Sequence, residues 1–301
     1  MMPPYISVII VNYNAGMELS ACVRSVAETA EHIEIIVVDN NSSDESISLL
    51  LEHYKGEKKL RIVQNSTNFG FAVACNQGSM AAKGQMFFYL NPDCIVAPET
   101  IPTLRHVLEI DPEVGMAGGL IMNNDGSEQR GCRRDIPTPW KSFVNSFGLK
   151  RLVNFNQKLF SDFRLDREPI PDTPMVVDAI SGACMLIRKE DFVDIGPMDE
   201  GYFLHCEDLD WCMRFGQRGR KVMFVPQARL WHSKGSCSAS RPVLVEWFKH
   251  KGMIRFYGKF FADEYPAPMF RLVQLGIWLR FCLSLVKIFV SRWFKVGKSG
   301  C

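Results

Sequence analysis

An α/β fold, a mostly parallel sheet flanked by helices, is what this sequence predicts, on three observations. Short apolar runs rich in β-branched residues recur, as strands buried on both faces do. Segments with apolar residues at helical spacing alternate with them, which implies a parallel sheet with right-handed crossovers. Several runs end in turn formers and a carboxylate, as in Val38-Asp39 and Leu90-Asn91-Pro92-Asp93.

The elements follow in order. Residues 6–11 (ISVIIV) read as the first strand, broken by the turn formers of Asn12-Tyr13-Asn14-Ala15-Gly16. A helix follows with Leu19, Cys22, Val23 and Val26 on one face. Residues 33–38 form the second strand, and Asp39 ends it. Ser43, Asp44 and Glu45 suit a helix start leading to Ile47, Leu50 and Leu51, with Asp44 as the cap. Residues 60–63 are a third strand, and Asn68-Phe69-Gly70 opens a helix to about residue 82. Residues 86–90 (MFFYL) are the fourth strand and 98–110 a helix.

After Gly115 the pattern weakens. Residues 123–175, rich in Arg, Asp, Pro and Asn, read as a variable loop region over the site. A strand resumes over 176–188, interrupted at Ser181-Gly182. Residues 209–218 read as helix, 222–225 as strand, and the tail from about 243 as helical. The expected organisation is a domain over 1–242, divided near 115, and a C-terminal amphipathic helical region over 243–301.

Composition narrows the function classes. A hydrophobic share of 47% supports a substantial core. With 35 basic and 33 acidic residues, the net charge of +2 gives no argument for nucleic-acid binding. Ten cysteines without a CxxC pair favour reduced thiols in a cytosolic protein over a disulfide framework. The first residues, Met1-Met2-Pro3-Pro4-Tyr5, carry no basic region followed by a long apolar one, so no signal peptide is expected.

Three acidic clusters carry the chemistry: residues 37–44, 89–93 and 203–210. A carboxylate at the C-terminal end of a parallel strand sits where open α/β sheets bind ligands. Asp39 there can accept from the ring N–H of a pyrimidine; the same segment also reads as a turn and helix cap. Gly70, at a helix start, lets backbone approach a ligand closely, or is an ordinary glycine-containing start. No GxGxxG fingerprint is present, which argues against a dehydrogenase. Asp93 offers oxygen to a hard divalent ion, unless Asn91-Pro92-Asp93 is a plain turn. Glu207 and Asp208 can supply a general base, or serve only as acids at a helix N-terminus.

The order of these motifs over roughly residues 5–240 resembles the family 2 inverting glycosyltransferases, in particular their rhamnosyltransferase-like branch. The resemblance implies a GT-A fold and transfer of a sugar from a nucleotide-sugar donor to a hydroxyl. It implies that Asp39 contacts the base ring, with Asn12 and Asn14 lining that pocket and Asn68 and Gly70 facing the donor. Asn91-Pro92-Asp93 occupies the place of the family's Asp-x-Asp motif with its first Asp replaced by Asn. Metal binding, Mg²⁺ or Mn²⁺, therefore rests on Asp93, with His232 completing the site or touching the diphosphate and Asn91 nearer the ribose or phosphate. Asp208 matches the family's base, and Glu207 would orient the acceptor or a neighbouring basic group. Asp178 and Gly182 fall on the acceptor side, Gly182 leaving room for a sugar. Arg130, Arg133 and Arg134 form a basic cluster that covers the diphosphate or, more commonly, is a solvated loop. The branch favours dTDP-rhamnose as donor, with UDP-hexoses open, and a glycan or lipid-linked acceptor. Two rival readings remain. A nucleotidyltransferase would want a basic phosphate loop after the first strand, and residues 12–16 carry no Lys or Arg. A non-catalytic membrane-surface module would leave the acids structural.

In the tail, Arg280, Ser284, Lys287, Ser291 and Lys295 recur at intervals of three and four and share a helical face. Leu275, Trp278, Leu279, Phe281, Leu283, Phe289 and Trp293 fill the others. No uninterrupted run of about 20 apolar residues exists, so an interfacial helix is expected rather than a spanning one. The alternatives are packing on the catalytic domain or a homodimer contact. An interfacial helix would place the protein at the cytoplasmic face of the inner membrane.

Overall fold

The computed structural model describes residues 5–29, 32–54, 58–146, 164–233 and 241–296. Strands β1 (Ile6–Asn12), β2 (Ile33–Asp39), β3 (Leu60–Gln64) and β4 (Met86–Leu90) alternate with helices α1 (Met17–Ala27), α2 (Ser46–Tyr54) and α3 (Phe71–Ala81). These four strands lie in the order β3-β2-β1-β4, all parallel. Their apolar runs are buried along almost their whole length in β1, β2 and β4. The register pairs Asn12 with Asp39 and Ile10 with Leu90, so the polar ends of three adjacent strands open on one edge.

Beyond β4 the sheet is mixed. It continues through β10 (Cys184–Arg188), β6 (Val114–Met122), β11 (Lys221–His232) and β5 (Cys94–Val96), and β8 (Met175–Val177) pairs on β11. Strand β10 is antiparallel to both its neighbours, while β6 and β11 are parallel. Helices α4 (Thr100–Ile110) and α6 (Lys189–Ile195) follow β5 and β10.

Strand β6 is central, yet the sequence pattern fades there. Three glycines interrupt its apolar run and remove the β-branched signal. Gly119 is required by contact: a Cβ there would lie 2.3 Å from the Ala228 carbonyl oxygen. Strand β11 runs 12 residues, far past the expected end at 225. A register shift between Val225 and Arg229 absorbs Pro226, as bulges do. The extension pairs His232 with Cys94, and so carries the histidine to the end of β4.

Among its described residues the 123–175 region is only partly a loop, and residues 147–163 lie outside them. Strand β7 (Arg133–Arg134) pairs with β9 (Ala179–Ile180), and α5 spans Pro139–Ser146. The tail forms α8 (Pro242–Phe260) and α9 (Ala267–Val296), which follow α7 (Glu207–Gln217) and β11. Trp247 and His250 of α8 meet Trp278 and Phe281 of α9, with Trp247 and Trp278 ring centroids 5.2 Å apart. The opposite side of α9 exposes Leu272, Leu275, Leu279, Leu283, Val286 and Phe289. Over Ala267–Ser291 its mean hydropathy is 1.7, so by length and composition the helix is able to cross a membrane. This departs from the sequence expectation, because scattered Arg280 and Lys287 break the run without lowering the average enough. Trp293 and Lys295 lie outside the residues whose side chains are described.

Candidate active site

At the ends of β1 and β2, Asn12 and Asp39 are buried and bonded to each other. Asn12 Nδ2 donates to Asp39 Oδ1 at 2.9 Å and to the hydroxyls of Ser42 and Ser46. The Ser42 hydroxyl donates to Asp39 Oδ1 at 2.6 Å. Asn12 Oδ1 has no partner despite its burial. Asn14, at φ 55°, accepts from the Ser43 amide at 2.7 Å, so it pins the loop that follows Asp39. Asp44 Oδ1 accepts from the Ser46 amide, which makes it the start signal of α2.

Asn68 accepts from the Gly70 amide at 2.9 Å and shapes the turn into α3. The close approach at Gly70 is made to protein. Its φ is 92°, and a Cβ would sit 2.6 Å from the Phe203 carbonyl oxygen. The same oxygen accepts from the Phe71 amide. Gly70 therefore joins the start of α3 to the segment that precedes the third acidic cluster.

Asp93 and His232 meet as the strand ends dictate: His232 Nε2 lies 2.9 Å from Asp93 Oδ1, with both side chains buried. Asn91 Nδ2 is 3.4 Å from the same nitrogen. Asp93, Cys94 and His232 offer ligand atoms within 4.8 Å of one another. Burial holds the Cys94 thiol far above its ordinary range, with the Asp93 charge adding to the effect, so it remains a neutral thiol. The usable set is one carboxylate oxygen and one imidazole nitrogen, of which the Asp93 oxygen suits a hard ion such as Mg²⁺ or Mn²⁺. Gln129, which the sequence reading passed over, orients the ring: its Oε1 faces His232 Nδ1 at 2.7 Å.

Glu207 and Asp208 open α7. The two preceding residues, His205 and Cys206, both have left-handed backbone, with φ 70° and 72°. Such geometry costs about 1–3 kcal/mol per residue and persists where surroundings hold it. Helix α8 supplies the hold. Phe248 stacks on Phe203 with centroids 4.2 Å apart. Arg255 and Lys259 grip Asp199 at 2.8 and 2.9 Å, and Lys259 reaches Asp210 at 2.6 Å.

Asp208 Oδ1 accepts from the Leu209 amide at 2.8 Å. Its Oδ2 accepts from the Gly182 amide at 3.3 Å and from Arg134 Nη2. The space at Gly182 belongs to Asp208: a Cβ would stand 3.3 Å from the Asp208 Cβ. That is a different reason for the glycine than room for a sugar. Ala183, next in the chain, accepts from the Asn91 amide at 3.1 Å. Two consecutive residues thus bind the carboxylate of Asp208 and the turn that presents Asp93. Glu207 is 6% exposed and its Oε2 has no partner. Burial, then the neighbouring Asp208 charge, pushes Glu207 up to about 8, with Arg134 pulling the other way.

Of the basic cluster, Arg130 is exposed, but Arg133 and Arg134 are held by carboxylates. Arg133 is buried against Glu128 at 3.0 Å, and Arg134 is half-buried against Asp208. Arg134 owes this position to β7–β9 pairing, which no local pattern signals. Asp178, exposed, accepts from the Ile136 amide at 3.0 Å and anchors the chain after β7.

The chain is 25% identical over 283 residues to the N-acetylglucosaminyl-diphospho-decaprenol L-rhamnosyltransferase of Mycobacterium tuberculosis, covering 89% of each. It is 26% identical over 224 residues to rhamnosyltransferase WbbL of Escherichia coli K12, covering 73% of this chain and 80% of that one. In fold it is similar to the Pyrobaculum calidifontis mannosyltransferase PcManGT, solved with GDP-Man and Mn²⁺, at TM-score 0.58 and 14% identity, covering 99% of this chain and 81% of that one. It is also similar to GalNAc-T7, solved with UDP, GalNAc and Mn²⁺, at TM-score 0.58 and 23% identity, covering 77% of this chain and 44% of that one. The architecture is GT-A. The profile of glycosyl transferase family 2 matches residues 7–193, and the chain belongs to that family of glycosyltransferases.

Proposed function

We propose that this glycosyltransferase transfers L-rhamnose, with inversion, from dTDP-rhamnose to a hydroxyl of a glycan or lipid-linked acceptor in cell-surface polysaccharide synthesis. The rhamnosyltransferases similar to it over most of their length support the sugar and the acceptor class. The observation that carries the mechanism is the Gly182-Ala183 link, which joins Asp208 to the Asn91–Asp93 turn.

In this reading Asp39 receives the ring N–H of the base, and the unpartnered Asn12 Oδ1 beside it offers a further acceptor. Asn14, Asn68 and Gly70 shape the walls of that pocket, and Asn91 faces the ribose or phosphate. Asp93 and His232 would hold Mg²⁺ or Mn²⁺, whose charge offsets that of the leaving diphosphate. Asp208 takes the proton of the acceptor hydroxyl. That oxygen bonds to the anomeric carbon from the face opposite the diphosphate. The carbon–oxygen bond to the diphosphate breaks, and its electron pair leaves with the nucleotide. Asp178 and Gly182 stand on the acceptor side.

The exposed apolar face of α9, bordered by Arg280 and Lys287, would rest at the cytoplasmic face of the inner membrane, where a lipid-linked acceptor is reached.

The test is Asp208→Asn, assayed with dTDP-rhamnose and a prenyl-diphosphate-linked N-acetylglucosamine. Transfer should fall by about 10²–10⁴-fold while calorimetry shows unchanged dTDP affinity. Parallel loss of nucleotide binding would remove Asp208 from the role of base. Melting-temperature shifts with dTDP, UDP and GDP, with and without Mn²⁺, rank the donors.

A further inference from the structure

We propose that Arg134 is a positioning residue that decides which carboxylate of the adjacent Glu207–Asp208 pair acts as the base. The proposal rests on the assignment of Asp208 as proton acceptor and adds to it the reason why Glu207 is not.

Two neighbouring carboxyls in a buried site do not both ionise readily, because like charges at low dielectric repel. One negative charge is then placed by whichever donors are nearest. Three donors at the pair point at Asp208, while Glu207 has, among the described residues, only its own backbone amide beside it. Arg134 Nη2 and the Gly182 amide meet Oδ2, and the Leu209 amide meets Oδ1. Glu207, buried and with Oε2 unpartnered, is left as the protonated member, in keeping with its push up to about 8. A protonated carboxyl cannot take a proton from the acceptor.

The guanidinium is held independently of the carboxylate it serves. Strand β7 pairs Arg134 with Ala179 and Arg133 with Ile180. Arg133 is locked by the buried Glu128 and by the carbonyls of Glu168 and Pro169. Arg134 Nη2 also donates to the Ile180 carbonyl at 3.3 Å. Its Nε is buried with no partner, a cost tolerated where a charge is being aimed. Removing the side chain beyond Cβ therefore leaves strand register intact. The charge is freed to move between the two carboxyls.

The direct test needs no acceptor. Carbon-13 spectra of side-chain carboxyls are recorded at neutral pH for the wild type and Arg134→Met, with Glu207→Gln and Asp208→Asn supplying assignments. Wild type should show Glu207 at the protonated position and Asp208 at the ionised one. In Arg134→Met the proton becomes shared, so the Glu207 signal moves toward the ionised position and the Asp208 signal moves the opposite way. Unchanged signals from a folded variant overturn the proposal. Should Arg134→Met fail to fold, Arg134→Lys keeps the cation with a shorter reach, and a partial shift of both signals is expected from it.

Turnover supplies the second arm. Arg134→Met should lose about 10²-fold in kcat with donor KM and dTDP affinity unchanged. Millimolar guanidinium chloride should restore much of the activity of Arg134→Ala and none of that of Asp208→Asn. Loss of dTDP affinity in Arg134→Met would assign the guanidinium to the diphosphate and overturn the proposal. An active Asp208→Asn would instead sink the base assignment. An inactive Asp208→Asn beside a fully active Arg134→Met would sink only the role of Arg134.

Discussion

Gln129 grips His232 twice: its Oε1 faces the ring Nδ1 at 2.7 Å, and its amide nitrogen donates to the His232 carbonyl at 3.1 Å. The same nitrogen donates to Asn123 Oδ1, which fixes the amide's orientation and makes Nδ1 the protonated ring nitrogen. Nε2 is thereby directed at Asp93. Outer contacts of this kind tune ligand nitrogens. Gln129→Leu should weaken Mn²⁺ binding about 10–100-fold, read by electron paramagnetic resonance titration in the presence of dTDP. An unchanged titration would reduce Gln129 to a packing role.

Gly182→Ala tests the placement of the base. The added methyl would meet the Asp208 Cβ at 3.3 Å, so the carboxylate must give by a few tenths of an ångström. Displacements near 1 Å cost about 10²-fold, and this smaller one should lower kcat by roughly 10-fold. The melting temperature should stay close to that of the wild type, and Gly182→Ala with wild-type kcat would refute the placement.

Acid stability should pass through Asp199. Burial raises its carboxyl, but hydrogen bonds from Arg255, Lys259 and the Gly201 amide overcome this and hold it at about 2. A carboxylate depressed in the folded state adds stability above its unfolded value near 3.8 and loses it as pH falls toward 2. The melting temperature should drop over that interval, and Asp199→Asn should flatten the drop. Glu207 works with the opposite sign. Pushed up to about 8, it lowers stability as pH rises from about 4.5, so Glu207→Gln should melt higher than the wild type at pH 8–9.

The exposed face of α9 gives a membrane prediction. Leu279→Asp with Leu283→Asp alters two side chains that are 57% and 56% exposed, so folding should tolerate the change. Sedimentation with vesicles containing anionic lipid should recover the wild type and lose the double variant, while dTDP affinity is unchanged. Equal recovery would show that this face does not meet lipid.

The sequence by itself determined the strands and turns that build the parallel part of the sheet. Runs such as residues 33–38 and 86–90 are locally apolar, and Asp39 and Asp93 follow them at strand ends, so pattern and place coincide. Asp208 stands at the start of a helix whose local signal is strong, whereas His232 lies well past the strand end expected at 225. Strand β6 was not, because the glycines that let it approach β11 erase its strand signature.

Tertiary structure alone decided the partners. Arg134 and Asp208 are 74 residues apart, and Gln129 and His232 are 103 apart. Phe203 stands against Gly70 and Asp208 against Gly182, contacts that no local pattern signals. Strand order brings such pairs together through long-range backbone hydrogen bonds. Their side chains carry no periodicity of their own, so only the folded sheet reveals which charge faces which.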